Sequence, residues 1–149
     1  AVKKGIESAS QTEITNAMKD LDSELAKEAR IMGVMGETLN KADRLLQAMK
    51  SVKTTSRTDK FKQDLKRMET LQQEVEAAFE DAELGFRTLR EDYVKLRDNV
   101  REGNSGGSLT IIKNMEAKVK SIGAVQRRIK KEERQIASIA AKHRRLSYP

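Results

Sequence analysis

The sequence predicts an all-α protein, an elongated antiparallel three-helix bundle with coiled-coil character. Three observations carry that expectation. The chain has 36% charged and 37% hydrophobic residues, 3% aromatics and one proline in 149 residues. That is the make-up of long helices, poor in turn formers and in the bulky aromatics of a thick core. Apolar residues recur at alternating three- and four-residue spacing through three long segments, which keeps one stripe of a slightly underwound helix against its partners. Only two polar interruptions separate those segments.

The first helix is expected over 11–53. Its inner stripe reads Ile14, Met18, Leu21, Leu25, Glu28, Met32, Met35, Leu39, Ala42, Leu46 and Met49, with Glu28 the one polar member. The preceding Ser10-Gln11-Thr12-Glu13 has the form of a capping box. Gly33 and Gly36 leave the phase unbroken, so they mark a soft spot or a close approach inside one helix; each costs about 1 kcal/mol relative to Ala.

The second helix is expected over 57–102. Phe61, Leu65, Met68, Gln72, Val75, Phe79, Ala82, Phe86, Leu89, Tyr93, Leu96 and Val100 form the strongest stripe, interrupted only at Gln72. Ser56-Arg57-Thr58-Asp59 resembles a second capping box, and Glu83–Arg87 and Glu91–Lys95 are four apart with the acid first, an arrangement that supports an exposed helix face.

The third helix is expected over 109–146, after Gly103-Asn104-Ser105-Gly106-Gly107-Ser108, the strongest turn signal in the chain. Ser108 is the expected cap, although the segment also has the composition of an engineered flexible linker. Its stripe is weaker: Ile112, Met115, Val119, Ile122, Gln126, Ile129, Glu133, Ile136, Ala140 and His143. Ile111, Val125, Ile139 and Leu146 widen it, as suits a helix lying in the groove of two others. Connections this short force successive helices to run antiparallel. The rough register that follows sets Glu28 beside Gln126 and the Arg127–Arg128 pair, a candidate polar layer. Leu71, Leu84, Ile31 and Leu45 fall outside the inner positions and are candidates for self-association.

Charge is lopsided. The net charge is +7, and residues 105–149 hold eleven Lys/Arg against three acids. The excess concentrates in the run from Gln126 to Arg145. Arg127, Arg128, Lys130, Lys131, Arg134, Lys142, Arg144 and Arg145 form a candidate surface for an anionic partner. The plainer expectation is a solvated outer face, neutralised in part by the acidic flank of the second helix from Glu74 to Glu83.

Chemistry-bearing patterns are sparse. Cysteine is absent and His143 is the single histidine, so a conventional zinc set has too few ligands. The glycine-rich turn follows no strand and is not a phosphate cradle. Glu80–Asp81 and Glu132–Glu133 are expected on solvated flanks, and the six Met residues as core filling. No catalytic residue, cofactor, metal or small-molecule substrate is therefore expected. The opening lacks an initiator Met and the apolar core of a signal peptide, and no apolar run approaches a membrane span. The chain thus reads as an excised piece of a longer chain or as a processed one, with an intracellular location expected.

The expected function is a non-enzymatic helical protein–protein interaction or scaffold module, a spacer or docking rod with another protein as partner and self-association as a further possibility. The alternative is a basic surface for anionic membrane lipid or nucleic acid, through the third helix. A long, basic, dimerising helical bundle is similar in architecture to the membrane-curving BAR domains, an analogy of shape alone. Against nucleic acid, the basic run has no interleaved aromatics for base stacking.

Overall fold

The computed structural model describes residues 2–143, with side chains from residue 11 onward. It contains α1 (Val2–Lys50), a 3₁₀ turn (Thr54–Ser56), α2 (Asp59–Arg101) and α3 (Ser105–Lys142). The three helices pack against one another, and no strand occurs among the described residues. Packing divides the chain into two compact units. The first comprises residues up to Ile31 with Ala82–Gly123, the second Met32–Asp81 with residues from Ala124 onward. Each unit thus holds a stretch of all three helices.

The stripes read from the sequence are the core. Every inner position named above is buried or half-buried. In the first unit Ile14, Leu21, Leu89, Leu96, Ile112, Met115 and Ile122 are buried; in the second, Met35, Met49, Phe61, Met68, Ile129 and Ile136 are nearly inaccessible. Each such side chain contributes roughly 1.5–3 kcal/mol by leaving water. The methionines do fill core space: Met35, Met49, Met68 and Met115 are fully buried. Leu71 is buried as well, and Leu45 packs on the core of the second unit. Of the candidate self-association residues, only Leu84 remains exposed, at 60%.

The helix ends differ from expectation in informative ways. α1 is already helical at Val2, so Ser10–Glu13 runs inside the helix and not at its start. α2 is capped by Thr58 rather than Ser56: the Phe61 N–H donates to Thr58 Oγ1 at 3.1 Å, and the Thr58 carbonyl accepts the first helical bond from Lys62. Arg57 closes the other side of this connection, donating from Nε to the Val52 carbonyl (3.1 Å) and from Nη2 to the Lys50 carbonyl (2.9 Å). The Lys50 carbonyl is among those that the end of α1 leaves without a helical partner, and Val52 lies in the connection that follows.

The α2–α3 turn is shorter than the glycine-rich run suggests. Gly103 sits at φ +76°, with its N–H bonded to the Val100 carbonyl and the Asn104 N–H bonded to that of Asn99. These two bonds form a Schellman motif, for which Gly is favoured because a Cβ is strained in the left-handed region. Asn104 then caps α3 itself, its Oδ1 accepting the Gly107 N–H at 3.0 Å. The expected cap, Ser108, is instead fully buried in the first turns of α3 and donates from Oγ to the Asn104 carbonyl at 2.7 Å. Hence α3 begins at Ser105, four residues ahead of the sequence expectation. Among the described residues, no helix is long and apolar enough to cross a membrane.

Candidate functional site: a basic helix face and an aspartate–histidine pair

The basic run of α3 belongs to the second unit. Ile129 and Ile136 point into its core, which turns Arg127, Lys130, Lys131 and Arg134 outward; all four are exposed. They follow one another at positions i, i+3, i+4 and i+7 and therefore share one side of the helix. None forms an ion pair among the described residues. Lys142 is also exposed, at the end of α3. Arg144 and Arg145 lie outside the described residues.

Arg128 behaves differently from its neighbours. Its Nε donates to Glu132 Oε1 at 2.9 Å, and the nearby carboxylates of Glu74 and Asp81 on α2 add to the hold of Glu132, which together keep the guanidinium charged beyond its ordinary range. The main partner of Arg128 is thus Glu132 of the same helix, with the acidic flank of α2 adding to it, while the outward four form no ion pair among the described residues. Lys41 approaches Glu133 at 3.7 Å, and in the first unit Lys118 approaches Asp92 at 3.6 Å. The expectation for Glu132 needs correction: it is 8% exposed, with Oε2 lacking a hydrogen-bond partner. α3 packs against two helices, so residues on both sides of its stripe are covered.

Glu28 and Gln126, the candidate polar layer, are assigned to different units. Gln126 is half-buried. Glu28 is 2% exposed, and its Oε2 has no hydrogen-bond partner. Burial, then the hydrogen bond and charge of Glu24 one turn earlier, push its carboxyl up to about 7, against a smaller opposing effect of Lys27.

The pairing that sequence reasoning missed is Asp64–His143. His143 Nε2 lies 2.6 Å from Asp64 Oδ2, and Lys60 Nζ lies 3.0 Å from Oδ1. An ionised carboxylate only accepts, so Nε2 carries the proton and donates. The His143 hydrogen bond, aided by Lys60, holds the Asp64 carboxyl below its usual range in spite of burial. The imidazole also stands edge-to-face on Phe61, with centroids 5.0 Å apart and planes at 81°. His143 was legible as an inner residue; Asp64, three residues after Phe61, gave no periodic signal. Asp64 and Phe61 answer the imidazole by packing and hydrogen bonding, an arrangement that ties the end of α3 to the start of α2. Among the described residues, no three His, Cys, Asp or Glu side chains are grouped to hold a metal ion.

No protein family, curated protein or solved structure matches the chain.

Proposed function

We propose that the chain is a non-enzymatic helical interaction and scaffold module that engages an acidic surface of a protein through the outward face of α3. The observation that carries this is the row Arg127, Lys130, Lys131 and Arg134: four exposed cations on one helix side, unpaired among the described residues, beside an Arg128 already committed to Glu132. Holding like charges in one row is mutually repulsive and is relieved by an anionic partner. Long uninterrupted helices such as the 49-residue α1 suit a scaffold, since they present side chains at fixed spacing.

The test is a titration of the full chain with poly-L-glutamate, with phosphatidylserine vesicles and with duplex DNA and RNA. At about 50 mM salt the polypeptide is expected to bind, weakening about tenfold by ~200 mM as charges are screened. The charge reversal K131E/R134E should abolish binding while leaving the helical circular dichroism unchanged. Absence of binding at low salt overturns the proposal. Stronger capture by vesicles or by nucleic acid at equal charge would move the function to that surface instead.

A further inference from the structure

In the second unit, α1 and α2 flank an open groove of about 350 Å³, lined from α1 by Asp43, Gln47 and Lys50 and from α2 by Glu69, Gln72 and Glu76. Its chemistry is that of an acceptor surface. Three carboxylates face one lysine. Asp43 and Glu69 are half-buried, and neither has an ion-pair partner among the described residues. Gln72 is 3% exposed; its Nε2 donates weakly to Glu76 Oε1 at 3.4 Å, and its Oε1 has no partner. A buried amide oxygen left without a donor costs about 1–3 kcal/mol, and two half-covered carboxylates add to the demand for a cation that carries N–H groups.

We infer that this groove receives the α3 basic row of a second copy of the chain, an inference that rests on the α3 surface proposed above and names its partner. The groove residues 43–50 and 69–76 each cover two helical turns, and so does 127–134, a length of about 10 Å in every case. The positions fall in the same i, i+3, i+4, i+7 pattern on all three helices. The charges are complementary: Asp43, Glu69 and Glu76 against Arg127, Lys130, Lys131 and Arg134. In a three-helix packing the groove between two helices lies opposite the outer face of the third. The row therefore cannot reach the groove of its own unit. The contact joins two different patches, so it is head-to-tail and open-ended rather than a closed two-fold dimer.

The experiment is sedimentation velocity of the full chain over a concentration series. Wild type should associate progressively at about 50 mM salt and return to monomer at about 500 mM, where screening shortens to a few ångströms. E69K/E76K destroys the groove and K130E/R134E the row; each alone should lower the association constant about tenfold or more. Mixed together, the neutral variants E69Q/E76Q and K130Q/R134Q should form a 1:1 complex and nothing larger, because the first keeps an intact row, the second an intact groove, and neither creates a charge-swapped contact. Should either reversal fail to fold by circular dichroism, E69Q/E76Q and K130Q/R134Q replace them with the same expectations. A wild type that stays monomeric at low salt, variants that associate like wild type, or a mixture that yields no complex each overturn the inference. Poly-L-glutamate separates the two readings. Binding retained by E69K/E76K without wild-type self-association keeps the α3 surface and removes the groove as its partner; loss of both removes both.

Discussion

Glu28→Gln should make the protein more stable at neutral and alkaline pH and should flatten its pH dependence. Glu28 is buried in the first unit with one carboxyl oxygen unanswered, and its pKa stands at about 7 instead of 4.5. The folded protein thus binds this proton more tightly than the unfolded chain. Stability is highest below the unfolded pKa, falls as pH rises from about 4.5 to about 7, and levels off once Glu28 is ionised in both states. The full shift corresponds to about 3 kcal/mol. A unit only three helices thick keeps water close, so the effective dielectric exceeds that of a deep core and about 2 kcal/mol is the working figure. Urea unfolding followed by circular dichroism, at intervals from about pH 5 to about pH 8.5, should show wild type losing that amount while Glu28→Gln loses far less. Near pH 8 the variant should melt about 4–8 °C higher. Parallel pH profiles for the two proteins, or a variant less stable than wild type at pH 8, would refute the reasoning, because either means the ionised carboxylate is well answered in the fold. Glu28→Leu should also stabilise, since it restores the apolar stripe at its one polar position.

Gly33→Ala should raise stability by about 0.5–1 kcal/mol, because the helix gains propensity and a Cβ there meets nothing within 4 Å; no gain in urea midpoint would indicate that α1 bends at this point. Gly103→Ala should cost about 1–2 kcal/mol for a Cβ at φ +76°, and Asn104→Ala about 0.5–2 kcal/mol for the lost cap, both read from thermal melts. His143→Ala should cost about 1–3 kcal/mol by leaving Asp64 buried without its main donor. The wild-type Asp64 contribution is present above the unfolded carboxyl pKa and is lost as pH falls through its lowered folded value, so the difference between the two proteins should shrink in acid titrations below about pH 4.

Local periodicity made the helices legible, and the interactions between helices were not. The stripe from Phe61 to Val100 is a property of one helix, and all of it is covered. Burial of Asp64 and Glu132 depends on how a third helix lies across positions beside the stripe, and no single-helix pattern contains that information. The wide stripe of α3 was a partial signal: Ile111, Val125 and Ile139 pointed to cover on both sides, which is what removes Glu132 from solvent. Cap placement failed for another reason. Connections rich in Ser, Thr and Asn offer several oxygen acceptors within a few residues, and backbone geometry elsewhere selects among them. At the α2–α3 turn the selecting residue is Gly103. Once it takes a positive φ, Asn104 is placed to cap, and Ser108 turns inward. The basic face was legible as charge, yet what separates Arg128 from Arg127, Lys130, Lys131 and Arg134 is its bond to Glu132 one turn on, strengthened by the α2 carboxylates of Glu74 and Asp81.

The polar groups inside these units bear on a problem that apolar stripes leave open. A stripe repeating every three or four residues packs almost as well after a shift of one helical turn, about 5.4 Å, because Leu, Met and Ile exchange for one another at small cost. In the second unit, Asp64–His143 removes that freedom. A shift of α3 along α2 by one turn would leave a buried carboxylate without its 2.6 Å donor and would move the imidazole off Phe61, a loss larger than the packing difference. In the first unit the same task falls to the α2–α3 turn, where the bonds at Gly103 and Asn104 fix the start of α3 against the end of α2. The two devices can be separated experimentally. Replacing Asp64 and His143 together by apolar residues should keep or raise overall stability, since neither is then left unpaired, while the packing of the second unit becomes heterogeneous. Amide and methyl NMR spectra of such a double variant should show multiple or broadened signals from Met68, Leu65 and Ile139, with those of Ile112 and Leu96 unchanged. A single sharp set throughout would mean that apolar shape alone sets the register.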